Sequence, residues 1–407
     1  MKKVLTLKKT WYFILLSIAA FPLLPKGVES VLMIFFFIFS ICLSLKEGNQ
    51  LLKKEKLKKV VVLSSVFFIY SLSFLYSDNY KEGLKLIIIS LPVLMFPLSI
   101  GFLVSEEISN KKIQTIKHIY IVSVFLSLLI SHAYLLANLE IGVSDWSYRK
   151  NFEDYTKVHG TYFSLWIGFG VLIILNELFE IIKKTNYLHI IIYIFIISYF
   201  LYWQVVISAR LPLFMTIFLG GFFIISNLKD KNKLIILIPV VLLSGLLISL
   251  KFDTIKSKIK FGIPEGKYEL NHLNMTSEEI RTGIYYCSYS LIKESWFFGY
   301  GIGDVNDSLN LCYKEKIKSN VYQIFKYNSH NQYVQLFLSA GIIGFLFFIY
   351  NLYYVFKRSI KNRYVLYIVF NVLVLTCFLT ENILSRHDGV LFYSYFNTLL
   401  FFKIKKD

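Results

Sequence analysis

Apolar runs long enough to cross a bilayer follow one another along this chain with only short charged clusters between them, and that leaves few possible folds. Backbone inside hydrocarbon must satisfy its own hydrogen bonds, so each run is expected to be a helix. Twelve runs are expected, near 10–25, 28–45, 60–77, 84–104, 118–138, 160–182, 187–207, 211–228, 234–250, 331–356, 364–381 and 388–403. The class is all-α: a polytopic helical membrane protein of about 12 transmembrane helices with one large external loop. Residues 1–250 then hold helices one to nine, 251–330 the loop, and 331–407 helices ten to twelve. The composition, 56% hydrophobic over 407 residues, agrees, because a soluble fold of this length needs more polar surface. A basic start (Lys2, Lys3, Lys8, Lys9) precedes the first run. Pro22 and Pro25 close that run where a signal peptide would have a small-residue cleavage site, so it reads as an anchor.

The formal net charge of +18 raises nucleic acid as a partner, but the charge is spread among short connections and not gathered on one domain. Of 44 Lys and Arg, 25 fall at the termini and in alternate connections, and eight in the connections opposite. The positive-inside rule then puts both termini in the cytoplasm and 251–330 outside. That bias accounts for most of the basic balance, and no nucleic-acid partner is needed.

Chemistry is therefore sought in the outer segments. Arg210 stands in a hairpin between two runs, in Ser208-Ala209-Arg210-Leu211-Pro212. A guanidinium at that depth costs roughly 2.5–3.5 kcal/mol unless it faces water or an anion, or reaches a headgroup. Arg281 opens a helix that Ser277 is expected to cap and that runs to about Glu294, with Ile280, Ile284, Cys287, Leu291 and Ile292 on one side. Arg281 either solvates the loop or binds. Arg386 either pairs with Glu381 or Asp388 or faces a ligand. Arginine suits bidentate phosphate recognition, so three of them near an outer cleft point to a phosphorylated lipid.

Phe298-Gly299-Tyr300-Gly301-Ile302-Gly303 reads first as a tight turn and second as a concave anion site. Asp304 and Asp307 read first as loop caps and second as a cation site. Cys287 and Cys312 share the loop, where an oxidising compartment permits a bridge although no spacing argument joins them.

The stretch from Ser329 to Gly344 closes the loop and enters an apolar run. As a helix it would align His330, Val334, Phe337, Gly341 and Gly344 on one face, with the glycines admitting a neighbouring helix. His330 then sits at the lip of a buried site, and histidine is the side chain that changes charge near neutral pH.

With these residues in view, the chain resembles the O-antigen ligase and O-antigen polymerase family of bacterial membrane glycosyltransferases. The resemblance rests on Ser208 to Pro212, on Arg281 with the helix leading to Trp296-Phe297-Phe298-Gly299, on Ser329-His330-Asn331-Gln332 through Gly344, and on Glu381-Asn382. The first 150 residues match only in hydropathy. The resemblance implies a GT-C-like architecture in the inner (cytoplasmic) membrane. It also implies transfer of a glycan from an undecaprenyl pyrophosphate carrier to an acceptor hydroxyl, on lipid A core or another surface acceptor. The alternative is a polymerase that joins carrier-linked repeats.

The leaving group is already a lipid pyrophosphate, so neither cofactor nor metal is expected, and the sequence has no Asp-x-Asp pair. His330 is the expected general base, with Arg210, Arg281, His159, Asn331 and Arg386 binding substrate. A transporter is the rival class, but its polar groups should lie at mid-membrane, whereas here they gather at the outer rim.

Overall fold

The computed structural model describes residues 2–47, 54–104, 108–138, 145–182, 187–227, 277–317 and 319–403, and every regular element among them is helical. Helices α1 (Lys2–Ile18) and α2 (Lys26–Glu47) form a hairpin through a 3-10 turn, Phe21–Leu23, where Pro22 occupies the first turn. The run expected at 60–77 is broken: α3 (Lys54–Leu63) and α4 (Ser65–Phe74) meet at 65°. The break falls at Ser64-Ser65, where Asn351 donates to the Ser65 hydroxyl from another helix.

Next come α5 (Tyr80–Leu98, continued by a π-helical turn to Leu103), α6 (Asn110–Asn138) and α7 (Asp145–Thr156), a helix inside a connection expected to be loop. Then follow α8 (Gly160–Ile182), α9 (Tyr187–Ile207) and α10 (Arg210–Asn227). Eleven of the twelve expected runs coincide with helices; the one at 234–250 lies outside the described residues. Among the described residues, six helices are long and apolar enough to cross a bilayer, or seven with the bent α3–α4 pair.

Helix α8 is the hub. Phe163, Leu165, Trp166, Ile167 and Phe169 are buried on all its sides, as expected of a helix that is apolar all round. Gly168 lets α10 approach until a Cβ there would strike the Thr216 hydroxyl. Gln204 of α9 then donates to Ser164 O at 2.8 Å and to Thr216 Oγ1 at 3.0 Å, so one amide ties three helices.

The outer unit has its own core. Helix α11 (Ser277–Glu294) starts at Ser277 itself and ends where expected. Helix α12 (Val305–Cys312) and the short α13 (Asn320–Phe325) pack on it. Ile284, Leu291, Leu309 and Tyr313 are buried between them, and a Cys287–Cys312 disulfide with Cα atoms 5.8 Å apart closes the unit.

Helix α14 (Gln332–Lys361) leads back into the bundle, followed by α15 (Val365–Cys377), a 3-10 turn (Ile383–Ser385) and α16 (His387–Lys403). Every residue of α16 from Asp388 to Phe401 is buried, so this last run is core and not lipid-facing wall.

Candidate active site

The first turn of α14 sets the geometry. Asn331 is its N-cap: the side-chain oxygen accepts from Tyr333 N at 3.0 Å and Val334 N at 3.2 Å, saturating donors the helix leaves open. Its side-chain oxygen thus has a structural role, beside the substrate contact expected of this residue.

His330 precedes the helix and does not ride its face. Its φ is +43°, and its N–H donates to Asn328 Oδ1 at 3.0 Å. That left-handed step turns the imidazole out of line toward Glu381, with Nδ1 3.7 Å from Oε1. The separation is that of an ion pair, longer than a hydrogen bond.

The Glu381 strand of chain lies against His330 because buried amides lock the two together. Gln332 donates from N to Phe378 O at 2.8 Å, accepts at Oε1 from Leu384 N at 2.7 Å, and donates to Tyr70 OH at 2.9 Å. Asn382 donates to Gln335 Oε1 at 3.1 Å, and Ser329 donates to the same oxygen at 2.9 Å. In Ser-His-Asn-Gln, the serine and glutamine thus face the interior, while the histidine side chain stays partly exposed beside Glu381.

Burial alone would raise the Glu381 carboxyl. The positive charge of His330, then of His159 and Arg281, holds it instead below the ordinary carboxylate range. His159, between α7 and α8, is pushed down by its own burial, which Glu153 and Glu381 only partly offset. Arg281 reaches in from α11, with Nη2 3.4 Å from Thr380 O, next to Glu381. Three expected residues from three distant segments therefore converge on a glutamate.

Arg386 and His159 line an adjoining cavity of about 400 Å³ together with Lys26, Lys85, Lys157 and Asn382. The sequence offered Arg386 a partner in Asp388, but Asp388 pairs with Lys26 at 2.9 Å. Lys26, Lys85 and Lys157 belong to the eight basic residues in the connections that the charge bias assigns to the outer side. Arg210, exposed, opens α10 after Ser208, whose φ is +59°. Ile207 packs on Gly160 beside His159, so Arg210 stands on the same rim, although among the described residues it does not line the cavity.

The glycine-rich loop takes its ordinary reading. Tyr300 N donates to Leu338 O at 2.7 Å, Gly301 N to Ser339 O at 3.0 Å, and Ile342 N to Trp296 O at 2.9 Å. The loop amides of Tyr300 and Gly301 are spent on α14 carbonyls, and Ile342 of α14 donates back to the loop, so these two amides cannot form an anion nest. Gly341 (φ +60°) kinks α14 to receive the loop, since a Cβ there would collide with Phe297 O. Gly344 meets Ile69 of α4, so the two glycines serve different neighbours. Asp304 caps another loop, accepting from Asp78 N and Asn79 N at 2.8 Å each, while Asp307 accepts from the Asn79 side chain.

Residues 188–349 match the family model described as O-antigen ligase. Over that segment, which is less than half of the chain, the protein is similar to the O-antigen ligase family. No curated protein matches the chain. The matched segment spans Arg210, Arg281 and His330, while His159, Glu381 and Arg386 come from connections between helices on either side of it. Members of the O-antigen ligase and polymerase family are glycosyltransferase-like membrane proteins that use lipid-linked glycans, and the multi-pass helical fold around this segment agrees.

Proposed function

We propose that this protein is an O-antigen ligase-type glycosyltransferase acting at the outer face of the inner membrane. It moves a glycan from undecaprenyl pyrophosphate to an acceptor hydroxyl with inversion at the anomeric carbon. The observation that carries this reading is the His330–Glu381 pair, with Arg281 and His159 converging on it. A proton on Nδ1 directed at Glu381 leaves Nε2 as the basic nitrogen. His330 takes the acceptor's proton as its oxygen bonds to the anomeric carbon, and the bond from that carbon to the pyrophosphate oxygen breaks. Glu381 steadies the imidazolium. Arg210 and Arg281 hold the pyrophosphate and stabilise the charge that develops as it leaves, without a metal.

Cytoplasmic termini and an external outer unit are part of the same reading. It is supported by His159, Arg210, His330, Lys26 and Lys85 lying at one end of the bundle, on the disulfide's side. Lys112, Lys117, Lys361 and Lys403 belong to the other end of their helices. Chain-length-resolved glycan analysis of a deletion strain tests the reaction. Accumulated carrier-linked polymer is the expected result; loss of polymer with single repeats still attached would make the protein a polymerase.

A further inference from the structure

Three aromatic residues in a row, Trp296, Phe297 and Phe298, are 56%, 42% and 61% exposed where the outer unit meets the bundle. Their exposure does not come from loose chain. Trp296 O accepts from Ile342 N at 2.9 Å and Phe298 O from the Tyr76 hydroxyl at 2.6 Å, which pins the backbone to α14 and to the end of α4. The rings pack edge to face on one another, with centroids 5.3 Å apart for Trp296 and Phe297 and 4.7 Å for Phe297 and Phe298. The result is an aromatic wedge with a fixed base, and apolar surface of this kind is seldom left in water.

The wedge is continuous with faces that belong to the membrane. Beyond the Gly341 kink, Ile343, Leu346, Tyr350 and Tyr353 are exposed at helical spacing along α14, one of the helices long and apolar enough to cross a bilayer. Leu72 and Leu75, at the end of α4 beside Tyr76, are exposed as well. Just before the wedge the surface turns polar: Lys293 lies over the Tyr289 ring at 4.3 Å, and Glu294 pairs with Lys316 at 3.2 Å. Apolar rings with a charged collar on one side and an apolar stripe on the other suit the boundary between headgroups and acyl chains. Whatever covers the wedge also covers the head of that stripe, and for an apolar face of a spanning helix that is lipid. We propose that Trp296, Phe297 and Phe298 insert into this boundary, so that the outer unit is seated in the bilayer surface and not carried clear of it. The partner is the lipid bilayer itself, and the contact does not depend on the transfer reaction. Together with Asp304 on the α4–α5 connection and the glycine-rich loop on α14, it holds the unit at three places.

Spin labelling of the full-length protein in nanodiscs, one copy to a disc, tests this. With Cys42→Ser removing the exposed free cysteine, a nitroxide is attached at Trp296→Cys or at Phe298→Cys, and at the exposed Lys314→Cys as a reference. Power saturation compares collisions with oxygen, which concentrates in lipid, against those with a water-soluble nickel chelate. Oxygen is expected to prevail at both wedge positions, at a depth of about 5–10 Å, and the chelate at the reference. Prevalence of the chelate at either wedge position would overturn the proposal. So would exclusion of both reagents, which would mean that protein covers the wedge. Should a cysteine variant not fold, the unlabelled protein gives a second reading. Trp11, Trp166 and Trp203 are buried in the bundle, so lipids brominated near the top of their acyl chains should quench wild-type emission more than that of Trp296→Phe. Equal quenching of the two would place Trp296 outside the bilayer and overturn the assignment.

Discussion

His330 lies two residues before the helix that sequence periodicity assigns it to, just outside the Asn331 cap, and that offset makes the difference between a packing side chain and one presented to a carboxylate. A positioned base contributes about 10²–10⁴-fold, so His330→Ala should lower kcat by that order with donor binding almost unchanged, as turnover and equilibrium binding of purified protein would reveal. Glu381 is held below the usual carboxylate value, so its charge is fully present above about pH 4.3 and is lost only as pH falls through the lowered value. A loss of rate that sets in near neutrality therefore belongs to a histidine, and that limb should vanish in His330→Ala. A profile unchanged by the mutation would remove His330 from the chemistry. Arg281→Ala and Arg210→Ala should each cost roughly ten- to a hundredfold in kcat/KM, with Arg→Lys restoring only part because a point charge cannot make the fork. Arg281 was recognisable as a candidate from its helix and motif. Its nearness to Glu381 was not, since the two are separated by about a hundred positions and meet only because α11 is laid across the α15–α16 turn.

At the level of elements, the kink in α14 couples the outer unit to the bundle. The Trp296–Gly303 loop occupies the space a Cβ at Gly341 would fill and uses the carbonyls freed there. Gly341→Ala should therefore unseat the loop and destabilise the protein by roughly 1–3 kcal/mol from backbone strain alone, with the collision in addition. Thermal unfolding in detergent measures this, and an unshifted midpoint would mean the kink is not strained. Gly344→Ala, which has no left-handed backbone to strain, should also destabilise, because its Cβ would strike the Ala340 Cβ on the same helix. Alternating glycines announced the turn at Phe298–Gly303, whereas the cap at Asn331 went unread in the sequence. What the loop's amides bond to was hidden, because an amide's partner is a matter of packing.

For the whole molecule, the distribution of Lys and Arg makes a prediction independent of the site. Lys267→Cys should react with an impermeant thiol reagent added to intact cells, and Lys54→Cys should stay protected; the opposite pattern would sink the outer-face mechanism. Helical class and the positions of the apolar runs were legible in the chain itself, and charge asymmetry supplies the expectation of which side carries the chemistry. They depend on hydrophobic length, on backbone self-satisfaction and on charge asymmetry, which are properties of segments taken one at a time. The bend at Ser64-Ser65, the burial of α16, the pairing of Asp388 with Lys26 in place of Arg386, and the Cys287–Cys312 bridge were decided only by tertiary structure. Each depends on which helices become neighbours, and inside a membrane that choice is made by small-residue contacts and buried amides such as Gly168, Gln204 and Gln332, whose partners lie on other helices.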